Sequence, residues 1–409
     1  MSLLVDRIAP PRMGRSFRWL LGSTWISNVG DGIALTAGPL LVAAQTRNPV
    51  LVGAASLLQR LPWLLFGLYA GAVADRVDRR VLVILADGAR VAVVGVLCAV
   101  ILLGRVDIAV VLAAMFLLGV AEVFADTTSG TLLPMLVAPA DLGVGNARLL
   151  AGLLVGGQLV GPPVGAFLFA AGMAWPFLTQ AACVGLGVVL ISRVATPKGG
   201  VRGATDTHVR RDIVEGVRWL IGHSAVRTLA LVIVAFNVTW GAAWSVLVLY
   251  ALDRLHLGAV GFGLLTTAIA VGGLIGTAGY GWIERHVALA TVMRVCLLLE
   301  VLMHASLALT TAGWLAMIIM VVFGAYAFVW GTVSQAVRQR AVPTELQGRV
   351  ASVYLVALFA GLAIGQALGG PIAHQWGLAA PFWFAFAGSG ITLVLVWRQL
   401  GHIAHAKAQ

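Results

Sequence analysis

The chain has 409 residues, 60% of them hydrophobic and only 11% charged, with a mean hydropathy of +0.97. A soluble domain carries about a quarter charged residues, so a water-soluble fold is excluded for want of polar surface. The formal net charge of +11 does not indicate nucleic acid, because the basic residues lie in short gaps between apolar runs rather than in one patch.

A helix crosses the hydrocarbon core with about 20 apolar residues. In chain order the sequence predicts twelve spans: 17–44, 50–73, 81–103, 108–134, 146–171, 175–192, 228–251, 260–283, 288–309, 312–335, 350–373 and 378–397. The expected fold class is therefore an all-α membrane protein. The basic start (Arg7, Arg12, Arg15, Arg18) is like the head of a signal peptide, but the apolar run is too long and many spans follow, so no cleavage is expected. Cys98, Cys183 and Cys296 each lie alone in an apolar run and read as small buried hydrophobes.

Lys and Arg set the orientation. One side holds the N-terminal arginines, Arg76, Arg79, Arg80, Arg148, Arg193, Lys198, Arg202, Arg210, Arg211, Arg218, Arg227, Arg285, Arg294, Arg338, Arg340, Arg349, Arg398 and Lys407, and the other only Arg47, Arg105 and Arg254. Both termini are expected in the cytoplasm of a cell inner-membrane protein, as an even number of spans also requires.

A polar stretch from Ser192 to Arg227 divides the chain. The expected organisation is a six-helix half at 1–191, a cytoplasmic linker at 192–227 with an amphipathic helix near Asp212–Ile221, and a second six-helix half at 228–409. The halves echo each other: Gly161 and Gly165 match Gly365 and Gly369, Pro176-Phe177 matches Pro381-Phe382, Asp141-Leu142 matches Glu345-Leu346, and Gly119 matches Gly324, all at nearly one offset. Duplicated halves with a site at their interface are a transporter plan.

Charge inside a bilayer needs a reason. Asp31 lies midway along span 1 with Asn28 one turn earlier, and Arg60 is mid-span 2, so the two can pair across sequential helices. Asp87 and Arg90 are spaced i, i+3 in span 3. Glu122 is mid-depth in span 4, with Asp126 a turn further on. Glu300 and His304 are spaced i, i+4 in span 9 and read as a packed pair. Asn237, Trp240 and Trp244 in span 7, with Tyr326 and Trp330 in span 10, offer an aromatic, mildly polar wall, although Trp also favours membrane interfaces.

Between spans 2 and 3 the chain reads Gly71-Ala72-Val73-Ala74-Asp75-Arg76-Val77-Asp78-Arg79-Arg80. This resembles motif A of the major facilitator superfamily, with Asp78 at a position that is usually glycine. That departure, with Pro139-Ala140-Asp141-Leu142 and Gly348-Arg349-Val350, resembles the subgroup of macrolide-efflux proteins and the enterobactin exporter. The resemblance implies two pseudo-symmetric six-helix halves in which spans 1, 4, 7 and 10 line the central path. It implies a cytoplasmic gate: Gly71 for close helix approach, Asp75 at a helix N-terminus of the other half, and Arg76, Arg79 and Arg80 on acidic partners that include Asp126. Asp31 and Glu122 become the proton-coupling candidates, unless Glu122 is permanently paired with Arg60 or Arg90. Gly157, Gly161, Pro162 and Gly165 in span 5 resemble motif C of proton-exchanging exporters.

No phosphate-binding loop, metal-ligand cluster or nucleophile constellation occurs in the sequence, so no cofactor, metal or enzyme activity is expected. The reading is a monomeric secondary transporter that exports drug-like or natural-product small molecules in exchange for protons, with membrane lipid around it. The alternative is an exporter of a siderophore or a lysolipid; a non-transporting sensor ranks below both.

Overall fold

The computed structural model describes residues 11–195 and 209–403. Its helices are α1 (Gly14–Gln45), α2 (Pro49–Ala74), α3 (Arg79–Leu102), α4 (Ile108–Gly130), a broken α5, α6 (Trp175–Ile191), α7 (Ser224–Ser245), α8 (Ala259–His286), α9 (Leu289–Leu309), α10 (Gly313–Ala341), α11 (Gln347–Trp376) and α12 (Ala380–Val396). The broken α5 runs as Leu142–Gly152, a π-helical stretch Leu153–Val160 and Gly161–Ala171. Ten of these twelve are long enough to span a membrane, and α6 and α12 are shorter apolar helices. The expected twelve-span, all-helical fold is found; among the described residues there is no strand.

Local chemistry sets many helix ends. Asp78 caps α3 by accepting from the backbone N–H of Arg80 (2.9 Å) and Val81 (3.2 Å), and Asp107 caps α4 through Ala109 N–H (2.8 Å). Pro176 and Pro381 stand in the first turn of α6 and α12, where a missing N–H costs nothing. Gly377, in the left-handed region at φ 88°, ends α11.

The surface is apolar along the helix flanks, with Leu65, Leu102, Phe167, Val394 and Leu395 all exposed. That is the coat a hydrocarbon solvent favours. Exposed Trp175, Trp314 and Trp376 stand at or next to the ends of α6, α10 and α11, and Trp282 and Trp397 close to the ends of α8 and α12. Helix ends are where a membrane interface collects such rings.

By its contacts the chain forms two units. The first comprises the described parts of Met1–Thr46 and Leu58–Thr205 with Ala259–Thr267; the second comprises Arg47–Leu57 and the described parts of Asp206–Gly258 and Ala268–Gln409. The linker motif Gly199-Gly200 and Gly203 lies outside the described residues. The amphipathic linker helix runs Val209–Gly222 and is tied to the start of α11 by Glu215–Arg349 at 2.7 Å.

The sequence matches occupy equivalent places. Short 3₁₀ turns Pro139–Asp141 and Thr344–Leu346 precede α5 and α11. Within the first unit a side chain at Gly119 would meet the Gln59 carbonyl at 2.6 Å, and within the second a side chain at Gly324 would overlap the Ile269 carbonyl. Gly161 and Gly165 bring α5 onto α1, as Gly365 and Gly369 bring α11 onto α7.

Candidate functional site

Arg90 organises the charged site of the first unit. It is 2% exposed, and a guanidinium withdrawn that far from water needs anions. It bonds the Asp31 carboxylate of α1 and, at 3.0 Å, the Asp87 carboxylate one turn back on α3. Glu122 and Asp126 of α4 add their charges to the field at Arg90 without forming an ion pair among the described residues. Two carboxylates thus hold the guanidinium directly. Asp87 is buried, Asp31 and Glu122 are half-buried, and Asp126 is exposed.

The expected Asp31–Arg60 pair is not formed. Sequence adjacency suggested α2 as the partner helix, but α3 delivers Arg90 to Asp31 instead. Arg60 is half-buried and makes no ion pair among the described residues. Asn28 is half-buried on α1, with its carbonyl 3.5 Å from where a side chain at Gly157 would begin.

The arginines of the motif A turn reach helix ends. Arg79 donates to the carbonyls of Ala74 (3.2 Å) and Thr131 (3.3 Å), which end α2 and follow α4, and to Asp75 (2.9 Å). Arg80 donates to the Ser192 carbonyl at the end of α6. These arginines therefore neutralise the negative ends of three helices rather than pairing with membrane acids. Asp126 is exposed and makes no ion pair with the turn among the described residues. Arg76 is exposed, and Asp75, 70% exposed, takes Arg79 as its partner. Gly71 is not a point of close approach: a side chain there would meet only Thr127 Cγ2 at 4.0 Å. The capping role of Asp78 was missed, although an Asp just before a helix signals it.

The motif C-like segment packs directly behind Asp31. A side chain at Gly32 would meet the Gly157 carbonyl at 2.5 Å, one at Gly161 would meet Gly32 Cα at 2.5 Å, and one at Gly165 would overlap the Ile33 carbonyl. Thr36 donates to the Pro162 carbonyl at 2.9 Å. Pro162 and Pro163 supply no N–H to the preceding turn, and the chain there takes the π-helical form, with Gly161 N–H bonding to the Gly156 carbonyl. α11 carries no such prolines at the matching positions and stays continuous.

The second unit gathers most of the expected aromatic wall. Trp240 stacks on Phe323 with ring centres 4.2 Å apart and lies 5.2 Å from Trp244. Tyr326 meets Phe323 edge-on at 5.6 Å, while Trp330 packs against the apolar core and Asn237 donates to the Ile233 carbonyl at 2.7 Å. Glu300 and His304 are not an isolated pair on α9. His304 Nε2 lies 3.2 Å from Glu300 Oε1, and the Tyr326 hydroxyl of α10 donates to Glu300 Oε2 at 2.7 Å. Spacing along α9 could not reveal Tyr326, which comes from another helix. Among the described residues no group of His, Cys, Asp and Glu is arranged to hold a metal ion.

Twelve helices with repeated helix packing and a buried charge cluster define a polytopic membrane transporter. The family model for transmembrane secretion effectors matches residues 7–406, and the chain belongs to that family, within the major facilitator superfamily, a family of transporters and not of enzymes. It is 27% identical over 376 residues to the multidrug efflux pump Tap of Mycolicibacterium fortuitum, covering 89% of this chain and 90% of that one. It is 25% identical over 403 residues to the enterobactin exporter EntS of Escherichia coli K12, covering 96% and 94%. Among solved structures, a bacterial homologue of the iron transporter ferroportin in an inward-facing state superposes with a TM-score of 0.76 at 18% identity, covering 96% of this chain and 99% of that one. The nucleoside transporter NupG superposes with a TM-score of 0.72 at 11% identity, covering 96% and 100%. These two likenesses show the fold.

Proposed function

We propose that the chain is a proton-coupled exporter of amphipathic, drug-like or natural-product small molecules. It works as a monomer in the inner membrane with both termini cytoplasmic, and its halves are 1–191 and 228–409, joined by the 192–227 linker. The observation that carries the coupling is the buried Arg90, held by Asp31 and Asp87, beside which the intramembrane Glu122 of α4 makes no ion pair among the described residues. A carboxylate in a poorly solvated site is stable when it has a cation, water or a proton. Asp31 and Asp87 hold the cation, so Glu122 is the group left to exchange its proton for a substrate cation. The gate residues of the Asp75–Arg80 turn then brace the ends of α2, α4 and α6 while the cluster changes charge. The similarity to Tap supports a drug-like cargo.

A second reading, export of a siderophore or a lysolipid, is favoured by Arg60, an intramembrane cation with no ion pair among the described residues. The test is efflux of a fluorescent cationic drug from cells lacking their main pumps, with wild type and Glu122→Gln, each with and without a protonophore. Loss of export in both arms is expected. Export insensitive to the protonophore would refute proton coupling, and export of a catecholate but of no cation would establish the second reading.

A further inference from the structure

In the second unit the end of α12 meets the early turns of α7 and α9, and a short terminal helix, Gln399–Ile403, packs on both. α12 has 17 residues, Ala380–Val396, and at 1.5 Å per residue spans about 25 Å. A hydrocarbon core is about 30 Å thick, so the helix falls short and the headgroup layer is drawn in toward its end. Val394 and Leu395 there are 77% and 70% exposed, and the exposed Trp397 and Arg398 follow at once. Within a few residues the surface passes from acyl-chain chemistry to headgroup chemistry. With Leu393 and Gln399 these residues line an open groove of about 440 Å³. Arg294 of α9 adds a second guanidinium. It lies over the Trp397 ring, 5.2 Å from the centre, and its Nε donates to the Trp397 carbonyl at 3.4 Å. It makes no ion pair among the described residues. Gln399 accepts from the Thr228 hydroxyl at 3.1 Å through its Oε1, which leaves its amide NH₂ as a donor. No Asp or Glu occurs on α7, α12 or the terminal helix, and α9 carries only Glu300, further along and buried.

We propose that the groove at the end of α12 is a binding site for an anionic phospholipid, with Arg294 and Arg398 on its phosphate and Val394 and Leu395 under an acyl chain. Charge complementarity carries the choice of occupant. Two arginines with no carboxylate on any helix around them attract an anionic headgroup, and basic pockets between membrane helices hold such headgroups. A zwitterionic lipid brings its own cation against the arginines. Free phosphate would meet the basic rim and leave the apolar staves uncovered. The Trp397 ring fixes the Arg294 guanidinium before the lipid arrives, so little side-chain freedom is lost on binding. A lipid that binds only the folded chain stabilises it by mass action, here by tying α7, α9 and the terminal helix to one leaflet. The site lies apart from the Arg90 cluster and does not depend on what is exported; only its assignment to the cytoplasmic leaflet rests on the proposed orientation.

The test is native mass spectrometry of the full chain, stripped of lipid in detergent and titrated with dioleoylphosphatidylglycerol, dioleoylphosphatidylcholine or inorganic phosphate. Expected is one phosphatidylglycerol held about tenfold more tightly than phosphatidylcholine, a preference that two arginines at the headgroup level readily supply. The double variant Arg294→Gln with Arg398→Gln should lose that preference, and Arg294→Lys with Arg398→Lys should keep most of it. Arg285→Gln, at an exposed arginine in the last turn of α8, should bind as the wild type does. Equal binding of the two lipids, an intact preference in the double glutamine variant, or the same loss in Arg285→Gln overturns the site. Displacement of phosphatidylglycerol by an equal concentration of inorganic phosphate overturns the lipid as its occupant. Should the double variant fail to fold, a photoactivatable phosphatidylglycerol on the wild-type chain decides: label on the peptide 393–399 supports the site, and label confined to other helices overturns it.

Discussion

Arg90→Met removes the cation that the carboxylates of the first unit share. Methionine keeps much of the volume and the apolar stem, so the loss is electrostatic rather than a cavity. Asp87, with a side chain 6% exposed, and Asp31, at 26%, then lose their partner together. Breaking a buried ion pair from one side costs about 3–5 kcal/mol. Asp31 is partly open and regains some solvation, which argues for the lower part of that range. The assay is thermal unfolding of the purified chain in detergent, followed by tryptophan fluorescence. Arg90→Met alone should lower the midpoint by roughly 6 °C or more, taking about 2–4 °C per kcal/mol for a unit of this size. Adding Asp31→Asn and Asp87→Asn should restore most of the loss, because neutral amides no longer need the guanidinium. An Arg90→Met chain as stable as wild type, or a triple variant no better than the single one, would refute the placement of Arg90 as the hub.

Three further outcomes test the packing. Gly161→Ala should destabilise by about 1–3 kcal/mol, the usual cost of overpacking, because its Cβ would fall 2.5 Å from Gly32 Cα; Gly71→Ala, with a neighbour only at 4.0 Å, should unfold at the wild-type temperature. Asp78→Ala should cost about 1 kcal/mol through loss of the α3 cap, and Asp78→Gly only a few tenths, readable as the ranking of their melting midpoints. Arg79→Gln should lower stability by about 1–2 kcal/mol as charge-assisted bonds to two helix ends disappear. Asp75→Asn, at an exposed i, i+4 pair, should change it by less than about 0.5 kcal/mol, and equal effects in the two variants would contradict the brace.

Hydrophobic runs and turn residues alone determined that this chain is a twelve-helix membrane protein with repeated halves, because in a bilayer the backbone must satisfy itself within each segment and each span is written as about 20 apolar residues. The glycines of span 5 were equally legible, since only small residues permit the contact that Gly32 makes with Gly157 and Gly161. What the sequence could name but not connect were the charges. Asp31 and Arg60 look like partners on adjacent helices, and only the packed helices put Arg90 beside Asp31. Asp126 and the motif A arginines look complementary, yet Arg79, besides its pair with Asp75, and Arg80 reach carbonyls, groups that every residue carries and no sequence pattern marks. Tyr326 reaches Glu300 across 26 residues of chain. Span identity is a local property of composition, whereas the partner of a buried charge depends on helix rotation and neighbour, and those are fixed only when the side chains of several helices pack together.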